Sequence, residues 1–230
     1  MSRNFNISIG EFYHIYNRGV DKRNVFEKPN DYNRFLFLLY LCNNLEPVDL
    51  QKLFRQKKTF SEIFSLEIDK KLTTIGAYCL MPNHYHLLLK ETRKNGISKF
   101  MQKLSTAYSM YFNIKHQRTG TLFQGRYKAR HLDNDNHLKY LFAYIHLNPI
   151  KMIQRNWKED GVENLNGAKK FLKGYKYSSY HEYIDVSYPQ GSIINKVEFP
   201  EYFSSKRNFS DFIDEWLQFQ SSENLDILIV

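Results

Sequence analysis

Residues 73–80 (TTIGAYCL) form a nearly unbroken apolar run, Pro82-Asn83 follows it, and residues 84–90 (HYHLLLK) resume it. Short runs rich in branched and aromatic residues, bounded by turn formers, are the signature of strands. The pattern predicts a buried strand, a turn and a second strand, and so commits this part of the chain to a sheet. Residues 11–17 (EFYHIYN), with Asn17-Arg18-Gly19 as a turn, and residues 127–132 (YKARHL), after breaks at Gly120 and Gly125, predict further strands.

Helical spacing fills the gaps between them. Asp31 is placed to cap a helix running to about Leu45, with Phe35, Leu38, Leu39 and Cys42 as its apolar stripe. A long helix is predicted from about Ile97 to His116, with Ile97, Phe100, Met101, Leu104, Tyr108 and Tyr111 on one face. The polar cluster at 133–136 offers caps for a third helix ending near Asn148-Pro149, with Leu138, Leu141, Phe142 and Ile145 as its stripe. Residues 46–72 are polar and mixed, with room for another helix. Short helical stretches are predicted around 178–185 and 208–220. Strands and helices in this order predict an α+β fold, an antiparallel sheet packed with α-helices, followed by a C-terminal helical extension. The boundary is expected near residue 152, giving a domain over 8–152 and an extension over 153–230 that is acidic at its end.

Charge is distributed unevenly. Formal net charge is +9, and residues 92–132 contain no Asp or Glu while carrying Lys115, Arg118, Arg126, Lys128 and Arg130. Such a stretch is either an ordinary solvated surface or a track for a polyanion, and the absence of acids favours nucleic acid. The C-terminal stretch reverses the sign, with Glu198, Glu201, Asp211, Asp214, Glu215, Glu223 and Asp226 against Lys206 and Arg207. Cys42 and Cys79 both sit in apolar runs, which predicts buried free thiols. The N-terminus lacks a signal-peptide core and the longest strongly apolar run, 35–42, is too short to span a bilayer, so a cytoplasmic protein is expected.

His84 and His86 are two apart on a predicted strand, so both imidazoles share a face while Tyr85 turns away with Leu87 and Leu89. The pair reads either as two histidines on a half-exposed strand or as two ligands of one cation. On the helix before Pro149, Tyr144 and Asn148 are four apart and flank the apolar stripe, with His137 on the same side. That row reads either as a boundary tyrosine and a capping amide or as part of a site.

Four segments together resemble one family. Met81-Pro82-Asn83-His84-Tyr85-His86-Leu87-Leu88 is similar to the His-hydrophobic-His (HUH) segment of single-tyrosine transposases of the insertion-sequence type. The segment from Gly120 through Lys128 (GTLFQGRYK) is similar to the basic segment of their REP-associated branch. Ala143-Tyr144-Ile145-His146-Leu147-Asn148-Pro149 resembles that branch's nucleophile helix, and Tyr13-His14-Ile15-Tyr16-Asn17-Arg18-Gly19 its opening strand. Tyr177-Ser178-Ser179-Tyr180 is similar to a segment that follows the domain. The resemblance spans about residues 8–185.

It implies a ferredoxin/RRM-like sheet and a transposase-type DNA endonuclease and strand transferase. It also implies a divalent metal, magnesium or manganese, on His84, His86 and Asn148, with Tyr144 as the nucleophile that leaves a 5′-phosphotyrosine. The implied partner is single-stranded or hairpin DNA, bound by a monomer or homodimer through Arg18, Lys115, Arg118, Arg126, Lys128 and Arg130. The alternative is a non-catalytic hairpin DNA or RNA binder on the same fold. Tyr85 departs from the aliphatic residue usual between the two histidines, and is expected to be tolerated because it faces away. Tyr108 and Tyr111, on the stripe of the long helix, are expected to be buried and therefore poor rivals to Tyr144.

Overall fold

The computed structural model of the protein describes residues 7–202 and 205–218. Strands β1 (Phe12–Arg18), β2 (Thr73–Met81), β3 (His84–Glu91) and β4 (Lys128–Leu132) form an antiparallel sheet in the order β2-β3-β1-β4. β2 and β3 are the hairpin read from the apolar runs, turning at Pro82-Asn83. β1 inserts between β3 and β4, which is the ferredoxin-like order and bears out the α+β class.

The two-residue period of the strands divides the core in two. Tyr13, Ile15, Tyr85, Leu87 and Leu89 point to one face, where they meet α1 (Pro29–Leu41), α4 (Gly96–Lys115) and the end of the short helix α3 (Phe60–Phe64). A further short helix, α2 (Leu50–Arg55), precedes α3. Ala77, Cys79, Met81 and Leu88 point to the other face, beneath α5 (Asp135–Leu147). Cys42 and Cys79 are buried free thiols, as expected.

Residues beyond α5 return to the same second face. A 3-10 turn (Asn148–Met152) leads into α6 (Trp157–Asp160), α7 (Leu165–Gly174), α8 (Tyr180–Tyr183) and α9 (Lys206–Gln218). Trp157, Leu172, Tyr183, Phe209 and Ile213 join the core under α5. The 177–179 segment also supplies hydrogen bonds to the outer edge of β2, Leu80 N–H donating to Tyr177 O at 2.9 Å and Ser179 N–H to Tyr78 O at 3.0 Å. An exposed edge strand invites aberrant pairing, and here the extension occupies it. A bulge between Ile75 and Ala77 leaves Gly76 where any Cβ would stand 2.6 Å from the Phe199 ring. The acidic residues Glu223 and Asp226, and the end of the stretch predicted over 208–220, lie outside the described residues.

Several boundaries differ from the sequence reading. α1 begins at Pro29, whose fixed φ suits a first helical turn, and ends at Leu41 rather than near Leu45. Asp31 is therefore inside the helix, and its carboxylate accepts the N–H groups of Glu27 and Lys28 at 3.0 and 2.9 Å. In α4, Tyr108 is buried and donates to Val25 O at 2.5 Å, but Tyr111 is only half-buried and donates to Asp31 at 2.8 Å. The core position after Tyr108 is taken by Phe112, four residues on, because the helical stripe drifts. α6 and α7 were not predicted: α6 is too short to show a period, and α7 is polar apart from a narrow apolar stripe.

The start of α4 is held from the end of β3. The buried Glu91 carboxylate accepts Gly96 N–H at 3.0 Å and Ile97 N–H at 2.7 Å, satisfying two donors that a helix N-terminus leaves open. Gly96 is required there because a Cβ would fall 2.0 Å from Leu72 O. Replacing Glu91 with Ala strands both donors. We expect a loss of about 2–4 kcal/mol in the free energy of urea unfolding, and a loss under about 0.5 kcal/mol would refute this anchoring role.

Candidate active site

β3 carries His84 and His86 on the second face, with ring centroids 4.9 Å apart. Their surroundings set the protonation of each ring. Asn83 donates its amide N–H to Lys22 O at 3.2 Å, which turns its Oδ1 toward His84. His84 Nδ1–H donates to that oxygen at 2.6 Å, leaving the lone pair on Nε2. His86 Nδ1 is 2.9 Å from Nε2 of His14, a buried residue of β1. When His86 is the donor of that bond, its Nε2 also carries a bare lone pair, and this atom is buried without a protein partner.

Burial keeps these rings neutral. It is the largest cause for each of them, disfavouring the imidazolium that water would otherwise stabilise. His14 is lowered to about 3, with Arg130 adding repulsion. His84 is lowered to about 4, with Lys151 and Arg18 acting in the same direction. His86 is held well below the ordinary imidazole value, with His84, His14, Lys151 and Lys158 adding to the effect of burial.

α5 closes the site from above. Its C-terminal cap is Asn148, which is 1% exposed. The Asn148 amide lies against His84 closely enough to favour its protonated form. Neither amide atom of Asn148, however, makes a hydrogen bond of ordinary geometry. An approach that shifts a titration need not satisfy the amide. An unsatisfied buried amide costs about 1–3 kcal/mol, so a missing partner is the natural reading. One turn earlier, the half-buried Tyr144 ring meets the His86 ring edge-on, with centroids 5.0 Å apart at 84°. It lies 6.1 Å from His14. Tyr140 stands one turn earlier again, in the position that completes this column. His137 does not join it, because its Nδ1 is held 2.6 Å from Asp133 at the start of the helix.

The donor set fits a divalent cation. Among the described residues no group of three His, Cys, Asp or Glu side chains is arranged to hold a metal ion. The side chains that could serve are instead two neutral imidazoles and the orphaned Asn148 amide beside His84. Mixed N/O ligation suits a hard or borderline divalent ion.

The expected basic residues divide into two groups. Arg18 pairs in register with His84, Lys128 with Tyr16 and Arg130 with His14, so all three share the histidine face. Lys128 also lies 5.8 Å from the Tyr16 ring. Lys115 is not brought there: its ammonium bonds the buried Asp31 at 2.5 Å on the opposite face of the sheet. Arg118 bonds Asn113 at 2.9 Å beyond α4. Arg126 is exposed in the loop before β4. Tyr85 turns away as expected, its ring packed 5.1 Å from Phe35 and 5.6 Å from Phe123. His14, Lys151 and Lys158 also stand at the site, outside the set expected from the sequence. His14 has a visible signal, since it alternates with Tyr16 and Arg18 on one face of β1. The lysines have none, since they reach the site only by the return of the chain after α5.

Residues 50–148 match the model of the family described as "Transposase IS200 like". That span contains His84, His86, Tyr144 and Asn148, and leaves β1 and the extension outside. A search of curated proteins returns no match. A solved structure of a REP-associated tyrosine transposase bound to a REP hairpin aligns with a TM-score of 0.49 at 13% identity, over 83% of this chain and 88% of that one. Among the described residues no helix is long and apolar enough to cross a membrane.

The neutral histidines make a pH prediction. His14, His84, His86 and also the buried His146, lowered to about 4, all have folded values below the unfolded 6.5. Their contribution is fully present above pH 6.5 and is lost as pH falls toward 4, because the unfolded chain then binds protons the folded one refuses. Each such histidine steepens the fall by up to about 1.4 kcal/mol per pH unit. Urea unfolding at pH 7, 6 and 5 should therefore show a steep decline, and equal stability at all three would refute the buried neutral state.

Proposed function

We propose, proceeding from the match of residues 50–148 to the IS200-like transposases, that the protein nicks and rejoins single-stranded DNA with Tyr144 as nucleophile. The match supports the coarser reading, a transposase-type protein acting on DNA. The observation that carries the finer one is the Tyr144 ring packed 5.0 Å from His86, on the helix that also ends in the orphaned Asn148 amide.

The chemistry follows from these groups. A phenol ionises near pH 10, so only about one in a thousand is phenolate at neutral pH, and attack needs help from surrounding positive charge. The Tyr144 oxygen bonds to the scissile phosphorus and its proton passes to water. The bond from phosphorus to the 3′ oxygen breaks, and that oxygen takes a proton from water. The 5′ phosphate stays on Tyr144, so the energy of the broken bond is conserved and a second 3′-hydroxyl restores it without a nucleotide cofactor. His84, His86 and Asn148 would hold a magnesium or manganese ion, which supplies charge neutralisation and Lewis-acid polarisation at the phosphate. Arg18, Lys128 and Arg130 lie along the same face to receive flanking phosphates. The recessed position of Tyr144 favours a single strand or a hairpin end over continuous duplex.

The experiment is an adduct assay on single-stranded hairpins taken from DNA flanking the gene, with manganese. Tyr144→Phe should lose covalent adduct and cleavage by about a thousandfold while hairpin affinity stays within about twofold. Cleavage that survives the change assigns the attack to water instead. Wild-type protein that binds hairpins but never forms an adduct is a non-catalytic binder. Manganese binding followed by calorimetry should be abolished in His86→Ala and weakened about tenfold or more in Asn148→Ala. Unchanged affinity in both would remove the ligand assignment.

A further inference from the structure

The chain returns to the site after α5, and this return lies outside residues 50–148, the stretch shared with the family. Trp157 opens α6 and is buried in the second core, which fixes the helix in place. Its neighbour Lys158 is thereby set against the outer side of α5. The Lys158 ammonium lies 4.7 Å from the centroid of the Tyr144 ring and 6.0 Å from that of Tyr140. It also donates to the Tyr140 hydroxyl at 3.4 Å. The two tyrosine rings stack at 6.3 Å, one helical turn apart.

Tyr144 is consequently bracketed. On one side its ring meets the edge of His86, and across its face stands a cation. An ammonium over an aromatic face is attracted by the ring's quadrupole, a contact made with the ring rather than with the hydroxyl. The half-buried ring has staggered alternatives that would swing it away from His86, and a contact across its face disfavours them. Tyr140 contributes by giving the flexible lysine stem a fixed acceptor.

We propose that Lys158 is a positioning residue for Tyr144: it clamps the ring through its face, with Tyr140 as anchor, and so presents the hydroxyl beside His86. The inference rests on the reading of Tyr144 as nucleophile. It differs from a phosphate-contact role for the same lysine, in which the ammonium would act on DNA affinity and leave the bound rate alone.

The test separates these on the full chain with a single-stranded hairpin and manganese. In Lys158→Gln the rate of adduct formation at saturating hairpin should fall about fivefold, the order of one cation–π contact, while the hairpin Kd moves by less than about twofold. Lys158→Arg should recover most of the rate, because a guanidinium also stacks on aromatic faces. Tyr140→Phe should give an intermediate rate. The melting temperature should fall by no more than about 4 °C in any of the three. A weaker Kd with an unchanged saturated rate makes Lys158 a DNA contact and overturns the proposal, as does an unchanged rate with unchanged Kd. A second readout needs no activity. In protein carrying ring-labelled tyrosine, the Tyr144 resonance, assigned through Tyr144→Phe, should move or broaden in Lys158→Gln without DNA. If the wild type forms no adduct, the nucleophile reading fails by itself, and an unmoved resonance then overturns the clamp.

Discussion

Strand β3 is covered on both faces, and its two-residue period decides what each face receives. Tyr85, Leu87 and Leu89 fill the core beneath α1 and α4, while His84, His86 and Leu88 turn to α5. A slip of one residue would drive both histidines into the aromatic core and put Tyr85 where a cation would be held. The apolar face thus sets the register of the polar one. The hydrogen bonds to β1 and β2 make the arrangement rigid, and Arg18, His14 and Arg130 reach the same face through pairing alone.

The site keeps polar atoms that protein contacts leave unmet. His86 Nε2 and both amide atoms of Asn148 are buried without hydrogen-bond partners, as are both carboxylate oxygens of Glu182 outside the site, whereas the buried Asp31 and Glu91 are engaged. Burial also holds the imidazoles neutral, with lone pairs rather than positive charge turned inward. On the proposed reading, neutral ligands would leave a cation its full charge for a phosphate. Lys115, from the same acid-free stretch as Lys128 and Arg130, lies away from the site, committed to Asp31.

The extension belongs to the working architecture. Through 177–179 it pairs with the edge of β2, and Ser179 bonds His146 of α5 at 2.9 Å. The segment that fixes α5 over the sheet therefore also fixes the height of Tyr144 and Asn148 above the histidines. Trp157 does the same for Lys158.

The hairpin, the long helix α4, the stripe of α5 and the pairing of Tyr144 with Asn148 could all be read from the chain. Each depends on a local period, two residues for a strand and 3.6 for a helix, imposed by burial on one side. His84 and His86 were placed on one face by the same rule. Which basic residues share that face was beyond it, because Lys115, Lys128 and Lys158 are equivalent in a sequence and differ only in what the fold sets opposite them. The His14–His86 contact and the clamp of Lys158 on Tyr144 join residues 72 and 14 apart. Sequence alone determined which side of each element is apolar; only the tertiary structure decided which polar sides meet, because that depends on how the buried faces stack and where the chain returns.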